Sequence, residues 1–322
     1  MNISFFANKL IILIFLTCLI LLFTGRPDSL LLHSIHYAWD LGHILFFLIF
    51  AYYADIILER FPKTSYIKRC LLILGISLFF GILVEFIQSL MADRSADIYD
   101  ILRNITGTLF GLFFLAPSRK RVKSSWIFIF QSIILLLILF SVIPLARSIM
   151  DEIIIRRQFP ILSDFETPFE TKRWIEMGNS KISIDNNVYR NGKASLKIVF
   201  NTKKYSGIGL KYFFYDWRNY DALEFSLFNP VSESLKIICR VHDSLHKKNN
   251  QKYADRFNRR LWIKTGWNDI RIPVSHILNA PKNREMDLAT IRGFNIFVVR
   301  LPEPRIIYLD NIRLTKNNNN GI

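Results

Sequence analysis

The chain changes its pattern of hydrophobic and polar positions close to residue 150. Before this point, long apolar runs are separated by short polar loops, and after it such runs stop. Because about 20 apolar residues are needed to cross the hydrocarbon core of a bilayer, the runs predict five transmembrane helices in a domain spanning residues 1–148. The predicted spans are residues 10–23, 42–58, 70–90, 98–115 and 126–145.

The second part of the chain carries short segments in which apolar and polar residues alternate. Such alternation, bounded by Gly, Asn, Asp or Pro, is typical of half-buried β-strands. The predicted strands are residues 195–200, 207–213, 222–228, 235–242, 268–273, 293–299 and 305–314. The fold class predicted is α + β in separate domains: a five-helix transmembrane bundle followed by an antiparallel β-sandwich (jelly roll) at residues 163–316. Residues 149–162 are expected to be a linker or a continued helix, and residues 317–322 a disordered tail.

The distribution of charge predicts how the helices are oriented. The formal net charge is +16, and the short loops at residues 60–69 and 119–123 are strongly basic. Short basic loops remain in the cytoplasm, so we expect a bacterial cytoplasmic (inner) membrane protein with a cytoplasmic N-terminus and an extracytoplasmic C-terminal domain. A basic domain in that compartment is expected to meet an anionic envelope surface rather than nucleic acid.

Ionisable side chains inside transmembrane helices are costly, and they mark functional sites or buried structural pairs. In this chain most of them collect at the predicted outer ends of the second, third and fourth spans. This polar cluster consists of Asp40, His43, Glu85, Gln88, Arg94, Asp97, Asp100 and Asn104. Helical spacing places the members from each helix on one face, and Gly107 and Gly111 allow close helix approach below them. The spacing alone is compatible with binding an anionic headgroup, moving a proton or bracing the helices.

The segment at residues 85–111 resembles the signature of the VanZ-like membrane family. It has the form E-x-x-Q followed by R-x-x-D-x-x-D-x-x-x-N-x-x-G-x-x-x-G, and Asp40 with His43 matches an Asp/His element of that family. Leu41 stands where the family commonly has lysine. The resemblance covers about residues 8–116. It implies a membrane domain with a role in the cell envelope, related to low-level resistance to the glycopeptide teicoplanin.

One stretch of the second part mixes aromatic rings with polar side chains, which suits sugars. Rings stack on the apolar faces of pyranoses, and polar groups bind their hydroxyls. The predicted glycan-binding residues are His242, Asp243, Tyr253, Arg256, Asn258, Arg260 and Trp262. The arginines favour an anionic glycan or a phosphate, whereas the plainer interpretation is a solvated basic loop around residues 247–252. Trp217 and Trp267 are expected in the core.

The same part of the chain resembles jelly-roll carbohydrate-binding modules of the galactose-binding-like type, over about residues 163–315. The resemblance rests on the order of five segments, at residues 164–166, 191–197, 216–223, 266–270 and 308–314. It implies that one acidic residue near the first strand and one in the last strand hold a structural calcium ion. Glu166 and Asp310 are the residues that would do so here, and oxygen ligands of this kind suit calcium.

Together these patterns predict a non-enzymatic protein of the cell envelope. Its β-sandwich would recognise an envelope polysaccharide, and its polar cluster would contact a lipid-linked glycan or its headgroup. An enzyme or transporter acting on a polyprenyl-linked envelope glycan is the alternative, and an assembly scaffold that uses the sandwich for protein contacts is the second alternative. Paired catalytic carboxylates in a cleft are not visible in the sequence, which argues against a glycosidase.

Overall fold

The computed structural model divides the chain into two compact units, Met1–Ile149 and Met150–Ile322. The residues that it describes are Leu13, 15–20, 33–61, 64–90, 97–121 and 124–317. In these residues the first unit is helical and the second is dominated by β-strands. Each unit has a hydrophobic core of its own.

Five helices of the helical region have both ends within the described residues and are numbered α1 to α5. They are Ser34–Asp40, Gly42–Glu59, Tyr66–Ser89, Ile98–Phe110 and Ser124–Gln158. A π-helical turn, Gly111–Leu115, and a 3-10 turn, Pro117–Arg121, follow α4. Among the described residues, four stretches are long and apolar enough to cross a membrane: Ser34–Glu59, Tyr66–Ser89, Ile98–Leu115 and Ser125–Gln158.

The first predicted span, residues 10–23, lies largely outside the described residues. Its described positions, Leu13 and residues 15–20, are helical. The helical region with its apolar spans is therefore as expected, whereas the five-helix bundle stays a prediction.

Two of the helices begin at a residue whose side chain caps them. The Ser65 hydroxyl accepts a hydrogen bond from the backbone N–H of Lys68 (3.4 Å) at the start of α3. The Asp97 carboxylate accepts one from Tyr99 (2.9 Å) at the start of α4. These contacts satisfy N–H groups that a helix N-terminus leaves unpaired.

Helix α4 lies very close to α2, and glycine makes this approach possible. A Cβ atom on Gly107 would lie 2.3 Å from the carbonyl oxygen of Ile44, and one on Gly111 would lie 2.6 Å from that of Leu48. Neither distance leaves room for a side chain. The close packing predicted from the two glycines is confirmed.

Large apolar side chains cover the outside of α3 and α5. Leu71, Phe79 and Phe86 on α3, and Phe128 and Leu136 on α5, each expose more than half of their surface. An apolar surface of this extent does not suit contact with water. Lipid chains are the surroundings that fit it.

The last turns of α5 belong to the second unit. Asp151 accepts two hydrogen bonds from the guanidinium group of Arg173, 2.9 Å from Nε and 2.7 Å from Nη2. Both side chains are buried. The segment at residues 149–162, expected to be a linker or a continued helix, is therefore helical as far as Gln158.

The second unit contains eleven strands within the described residues. Strands β1 to β11 are Ile161–Ser163, Trp174–Met177, Lys181–Asp185, Ser195–Phe200, Tyr205–Leu210, Ala222–Asn229, Leu235–Asp243, Phe257–Ile263, Gly266–Pro273, Ile291–Val299 and Arg305–Thr315. Two short helices, α6 (Leu245–Lys248) and α7 (Val274–Leu278), and three short 3-10 turns, including Tyr253–Asp255, lie between them. The pattern had predicted seven of these strands, and β1, β2, β3 and β8 are additional.

The strands form two antiparallel sheets. A six-stranded sheet has the order β3-β4-β11-β6-β9, with β1 paired to β11, and a five-stranded sheet has the order β2-β5-β10-β7-β8. The core between them is apolar and includes the fully buried Leu196, Ile208 and Phe294. The predicted antiparallel β-sandwich is confirmed.

The two tryptophans expected in the core have different positions. Trp217 is fully buried. Trp267 is half-buried and lies on the outer face of the six-stranded sheet, where its ring is 5.3 Å from that of Phe228. The reason is the alternation of β9, in which Ile270 and Ile272 pack toward the core and the odd-numbered residues face outward.

Candidate functional sites

The outer face of the five-stranded sheet carries most of the predicted glycan-binding residues. Along β7, Ile237, Cys239 and Val241 are buried in the core, so Arg240 and His242 face outward. Arg240 pairs with Asn295 of β10 on one side and with Asn258 of β8 on the other. Because opposite residues of paired strands share a face, these polar side chains meet on a single surface.

This surface contains a groove of about 250 Å³. Its lining includes Tyr205, Gly207, Arg240, Arg256, Asn295 and Phe297. Strands β5, β7 and β10 are neighbours in the sheet, so the groove crosses its middle rather than its edge. A concave site with a few convergent polar groups is the usual form of a small-molecule or sugar site.

Gly207 of β5 lines the groove, and Gly209 lies two positions further along the same strand. Ile208 and Leu210 point into the core, so Gly207 and Gly209 face outward. A Cβ atom on Gly207 would lie 2.3 Å from the Cβ of Phe297, and one on Gly209 would lie 2.2 Å from the Nδ2 of Asn295. The side chains of β10 therefore lean over strand β5, which only glycine permits.

Several polar atoms around the groove are buried without a hydrogen-bond partner among the described residues. They are the Nε atoms of Arg240 and Arg256, the Oδ1 atoms of Asn258 and Asn295, and the Nδ1 atom of His242. Buried polar groups are nearly always hydrogen-bonded in folded proteins. Of these side chains, Arg240, Arg256 and Asn295 line the groove.

The electrostatic character of the groove is positive. No carboxylate forms an ion pair with Arg240, Arg256 or Arg260 in the part of the chain that the structure describes. Burial, followed by the charge of Arg256, lowers the pKa of Arg240 to about 10. Burial, followed by the charge of Arg240, lowers the pKa of His242 to about 3, so its imidazole is neutral near pH 7.

Two exposed aromatic rings belong to the same side of the sheet. Trp262 on β8 exposes 65% of its surface, and the Nζ atom of Lys236 lies 5.7 Å from the centre of its ring. Tyr253 exposes 68%, and the guanidinium carbon of Arg256 lies 5.3 Å from its ring. Both rings have the exposure that stacking against a sugar requires.

Asp243 occupies a different environment from the other predicted glycan-binding residues. It is 1% exposed. Its carboxylate accepts hydrogen bonds from Nη2 of Arg284 (2.9 Å) and from the backbone N–H of Asp287 (2.8 Å). Arg284 also donates to Asp255 at 2.7 Å. Since Asp243 follows Val241 by two positions, it shares the inward side of β7 and braces loops instead of facing a ligand.

The opposite wall of the groove, formed by Tyr205, Asn295 and Phe297, was not predicted from the sequence, and neither was Arg240. A local signal for it exists in the glycines of β5, because glycine weakens a strand unless another group approaches closely there. The alternation of Arg240 with aliphatic residues was a second signal. Which strands lie beside each other could not be read from local pattern.

Glu166 and Asp310, the residues predicted to hold calcium, both bind the loop between β3 and β4. The backbone N–H groups of residues 190–191 donate to Oδ2 of Asp310, at 2.6 and 3.0 Å. Those of residues 193–194 donate to Oε1 of Glu166, at 2.7 and 3.1 Å. Burial, and to a smaller extent the charge of Glu166, raises the pKa of Asp310. A cation would relieve this repulsion, and calcium at this position stays a prediction.

The polar cluster of the first unit lies where the start of α2, the end of α3 and the start of α4 meet. Nδ1 of His43 is 2.9 Å from Oδ1 of Asn104, and Nε2 of His43 is 3.7 Å from Oδ2 of Asp100. The backbone N–H of Asp97 donates to Oε2 of Glu85 at 2.8 Å. Long-range contacts therefore join side chains from all three helices.

Arg103, which lies at the start of the fourth predicted span but was not placed in the predicted cluster, supplies a cation to it within the described residues. It bonds to Oδ1 of Asp100, and its Nη1 atom lies 3.7 Å from Asp40 and 3.9 Å from Asp97. Gln88 is 1% exposed and is also part of this region. Arg94 lies outside the described residues. Among the members within them, the structure thus places Asp40, Asp97 and Asp100 around one guanidinium group.

An apolar cavity of about 350 Å³ lies in the same unit. Its walls include Phe46 and Phe47 of α2 and Val84 and Ile87 of α3. These residues are next to, or one turn from, His43 and Glu85 along their helices, so the cavity adjoins the polar cluster. The combination presents polar groups at one end and a purely apolar space beside them.

Two family models match this chain. Residues 4–123 match VanZ/LLP1, and residues 162–316 match Carbohydrate binding domain 30. The N-terminal part of the chain is thus similar to the VanZ/LLP1 family, and the C-terminal part is similar to the carbohydrate-binding domain 30 family. Both resemblances inferred from the sequence are confirmed. A comparison with curated proteins finds no match for the chain.

The chain is also similar to several solved structures. An exo-beta-agarase shares 18% identity with a TM-score of 0.40, over 49% of this chain and 25% of the agarase chain. The family 11 carbohydrate-binding module from Clostridium thermocellum, in complex with a beta-1,3-1,4-mixed-linked tetrasaccharide, shares 17% with a TM-score of 0.37, over 48% and 94%. A non-crystalline cellulose specific module, CBM28, shares 14% with a TM-score of 0.36, over 49% and 94%.

These sequence identities and TM-scores are low. The β-sandwich of this chain is established by its own strand pairing. The chain spans a quarter of the agarase to which it is similar. The polar cluster falls within residues 4–123, and the groove falls within residues 162–316. Each of the two candidate sites thus lies within the residues that one of the family models matches.

Proposed function

We propose that this protein is a membrane-anchored glycan receptor of the cell envelope, and that the groove on the five-stranded sheet is its binding site. One observation carries the proposal. Within the residues that match a carbohydrate-binding domain, a groove lined by Arg240, Arg256 and Asn295 lies on the same face of the sheet as an exposed aromatic ring, that of Trp262. Hydroxyl groups would pair with the polar atoms, and sugar rings would stack on the aromatic faces.

The ligand of this groove is an anionic polysaccharide. Arg240, Arg256 and Arg260 have no carboxylate partner among the described residues, and guanidinium groups bind carboxylates and phosphates in a bidentate manner. His242 is neutral near pH 7 and adds a hydrogen-bonding group without adding charge. Charge therefore favours acidic glycans over neutral ones of the same shape.

The membrane domain contributes a second site, for a lipid-linked glycan or its headgroup. Support comes from the apolar cavity beside the polar cluster, since a lipid chain suits the cavity and a headgroup suits the charged residues. The basic loops predict that the N-terminus is cytoplasmic and that the sandwich is extracytoplasmic. In that orientation the polar cluster lies at the outer leaflet of the cytoplasmic membrane.

The same pairing of cavity and cluster favours a second candidate, an enzyme or transporter acting on a polyprenyl-linked envelope glycan. The two candidates differ in what they require of the carboxylates. Turnover by an acid–base group is abolished by Glu85→Gln or Asp97→Asn, whereas a binding site tolerates these isosteric changes far better. Turnover of a polyprenyl-linked substrate, measured for the wild type and both variants, decides between them.

Glycan binding is tested with the full-length protein in detergent against matched anionic and neutral envelope polysaccharides. We expect saturable binding by calorimetry, stronger for the anionic members. Trp262→Ala should weaken it at least about tenfold, equivalent to about 1.4 kcal/mol of lost stacking. The matched control is Trp267→Ala, which removes a half-buried ring from the outer face of the other sheet.

The proposal fails if the folded protein binds no member of the panel, or if both tryptophan variants lose affinity equally. Binding to neutral glycans alone would refute the role given to the arginines. The series is run with and without calcium, because the ion predicted at Glu166 and Asp310 is expected to support the fold rather than to contact the sugar.

A further inference from the structure

Three buried side chains in the helical unit have donor atoms that converge on one point. They are His43, Glu85 and Asp100, and their donor atoms all lie within 4.8 Å of one another. Each side chain is at most 4% exposed. They come from three different helices, α2, α3 and α4. The group therefore cannot be recognised from the spacing of its residues along the chain.

The hydrogen bond to Asn104 fixes the orientation of the His43 ring. Oδ1 of Asn104 is an acceptor and lies 2.9 Å from Nδ1 of His43, so Nδ1 is the donor of this pair. The other ring nitrogen, Nε2, lies 3.7 Å from Oδ2 of Asp100. A cation held between Nε2 and this carboxylate would have both atoms as ligands.

Asp100 is arranged as a metal ligand would be. Its Oδ1 atom is bound by Arg103, and its Oδ2 atom faces His43. Metal-bound histidines and carboxylates are typically held in this way by a second group on their other polar atom. Arg103 and Asn104 would be those supporting groups.

An unpaired donor lies beside the same site. Nδ2 of Asn104 has no hydrogen-bond partner among the described residues, although Asn104 is fully buried. A Cβ atom on Gly81 would lie 2.7 Å from it, so it faces the turn of α3 immediately before Glu85. A buried donor here needs an acceptor, and an oxygen bound to a neighbouring metal ion would provide one.

We propose that His43, Glu85 and Asp100 bind a divalent transition-metal cation such as Zn²⁺ or Mn²⁺. One imidazole and two carboxylates are ligands that suit these ions, whereas calcium and magnesium prefer oxygen alone. Binding would draw the donor atoms to about 2.0–2.2 Å from the ion. Three protein ligands leave a coordination position open for water or for a phosphate oxygen. The inference does not depend on glycan binding by the sandwich.

The experiment uses the full-length protein purified in detergent, stripped with a chelator and then equilibrated with Zn²⁺ or Mn²⁺. We expect about one ion per chain by elemental analysis. Glu85→Gln and His43→Gln should each weaken binding at least about tenfold, as loss of a ligand requires. Using two variants on different helices keeps the test valid if one of them fails to fold, which thermal unfolding reveals.

The matched control is Asp55→Asn, which neutralises another buried carboxylate of α2. Asp55 is fully buried and accepts a hydrogen bond from Ser118, about three turns along α2 from His43. This variant should keep the ion. Wild-type protein that binds no ion would overturn the proposal and leave His43 as an imidazolium paired with Asp100. Equal binding by the wild type and the Glu85 and His43 variants would overturn it as well, since the ion would then lie elsewhere.

Discussion

The polar cluster and the groove both contain arginines, and they differ in whether carboxylates lie beside those arginines. In the cluster, Arg103 lies among three aspartates, and its side chain is 11% exposed. In the groove, Arg240 and Arg256 face the surface without a carboxylate partner in the described part of the chain. The arginine of the cluster is surrounded by carboxylates, and the arginines of the groove are not.

The difference follows from the surroundings. Inside a helical bundle no water is available, so an unpaired charge costs several kcal/mol and each charge needs a counter-charge nearby. On the face of a sheet, water solvates a guanidinium group until a ligand replaces the water. An arginine surrounded by carboxylates therefore indicates a site that stabilises the fold or binds a small ion. Arginines without carboxylate partners indicate a surface that can bind an anionic partner.

Removing the cation should affect the cluster most strongly. Arg103→Met leaves Asp40, Asp97 and Asp100 without their shared partner, and we expect a loss of about 3–5 kcal/mol of stability. Thermal unfolding in detergent measures it, with Arg60→Met at an exposed position as control. If the two variants unfold at the same temperature, the charges do not hold the helices and the comparison fails.

An intermediate effect is expected when the groove is acidified. Burial lowers the pKa of His242 to about 3 in the folded protein, compared with 6.5 for an unperturbed histidine. The unfolded chain therefore binds the proton more readily, and stability falls as the pH decreases from 6.5 toward 3. The slope reaches about 1.4 kcal/mol per pH unit for one group.

Chemical unfolding of the wild type and of His242→Gln, at neutral pH and at about pH 4.5, measures this dependence. The variant should lose part of the slope. His246, whose pKa is also lowered by burial, should supply the remainder. Identical slopes in both proteins would mean that His242 is as well solvated as a surface histidine.

The smallest effect is expected for Arg240→Met in the groove. No ion pair is broken by this change. Partial burial already disfavours the charged guanidinium group, so the free energy of unfolding should change by less than about 1 kcal/mol. The substitution matches Arg103→Met in chemistry and differs only in place. A loss as large as that of Arg103→Met, measured by chemical unfolding, would mean that Arg240 has a structural partner and would remove the contrast between the sites.

The sequence predicted which polar membrane residues share a helix face, because the helical repeat is only about 3.6 residues. Glu85, Asp97, Asp100 and Asn104 fall on faces that local spacing defines, and a specific motif contains them. Arg103 was missed because it lies off that stripe. Its contact with Asp40 depends on how α2 and α4 pack, which local spacing does not encode.

The groove was predicted in part, for a related reason. His242, Asn258, Arg260 and Trp262 lie on two neighbouring strands, and alternation gives them a common face. Strand β8 was not predicted, because its asparagine and two arginines are residues more typical of a loop. The opposite wall comes from β5, which ends 25 positions before β7 begins, and from β10, which begins 48 positions after β7 ends. Local pattern cannot bring such strands together.

The glycines of β5 have a consequence for engineering. A Cβ atom on Gly207 would lie 2.5 Å from the backbone carbonyl oxygen of Ile296 as well as against Phe297. Backbone cannot turn aside as the end of a flexible side chain can, so even alanine at this position would push β5 and β10 apart. Variants meant to fit a different polymer should therefore change the side chains that line the groove and keep β5 as it is.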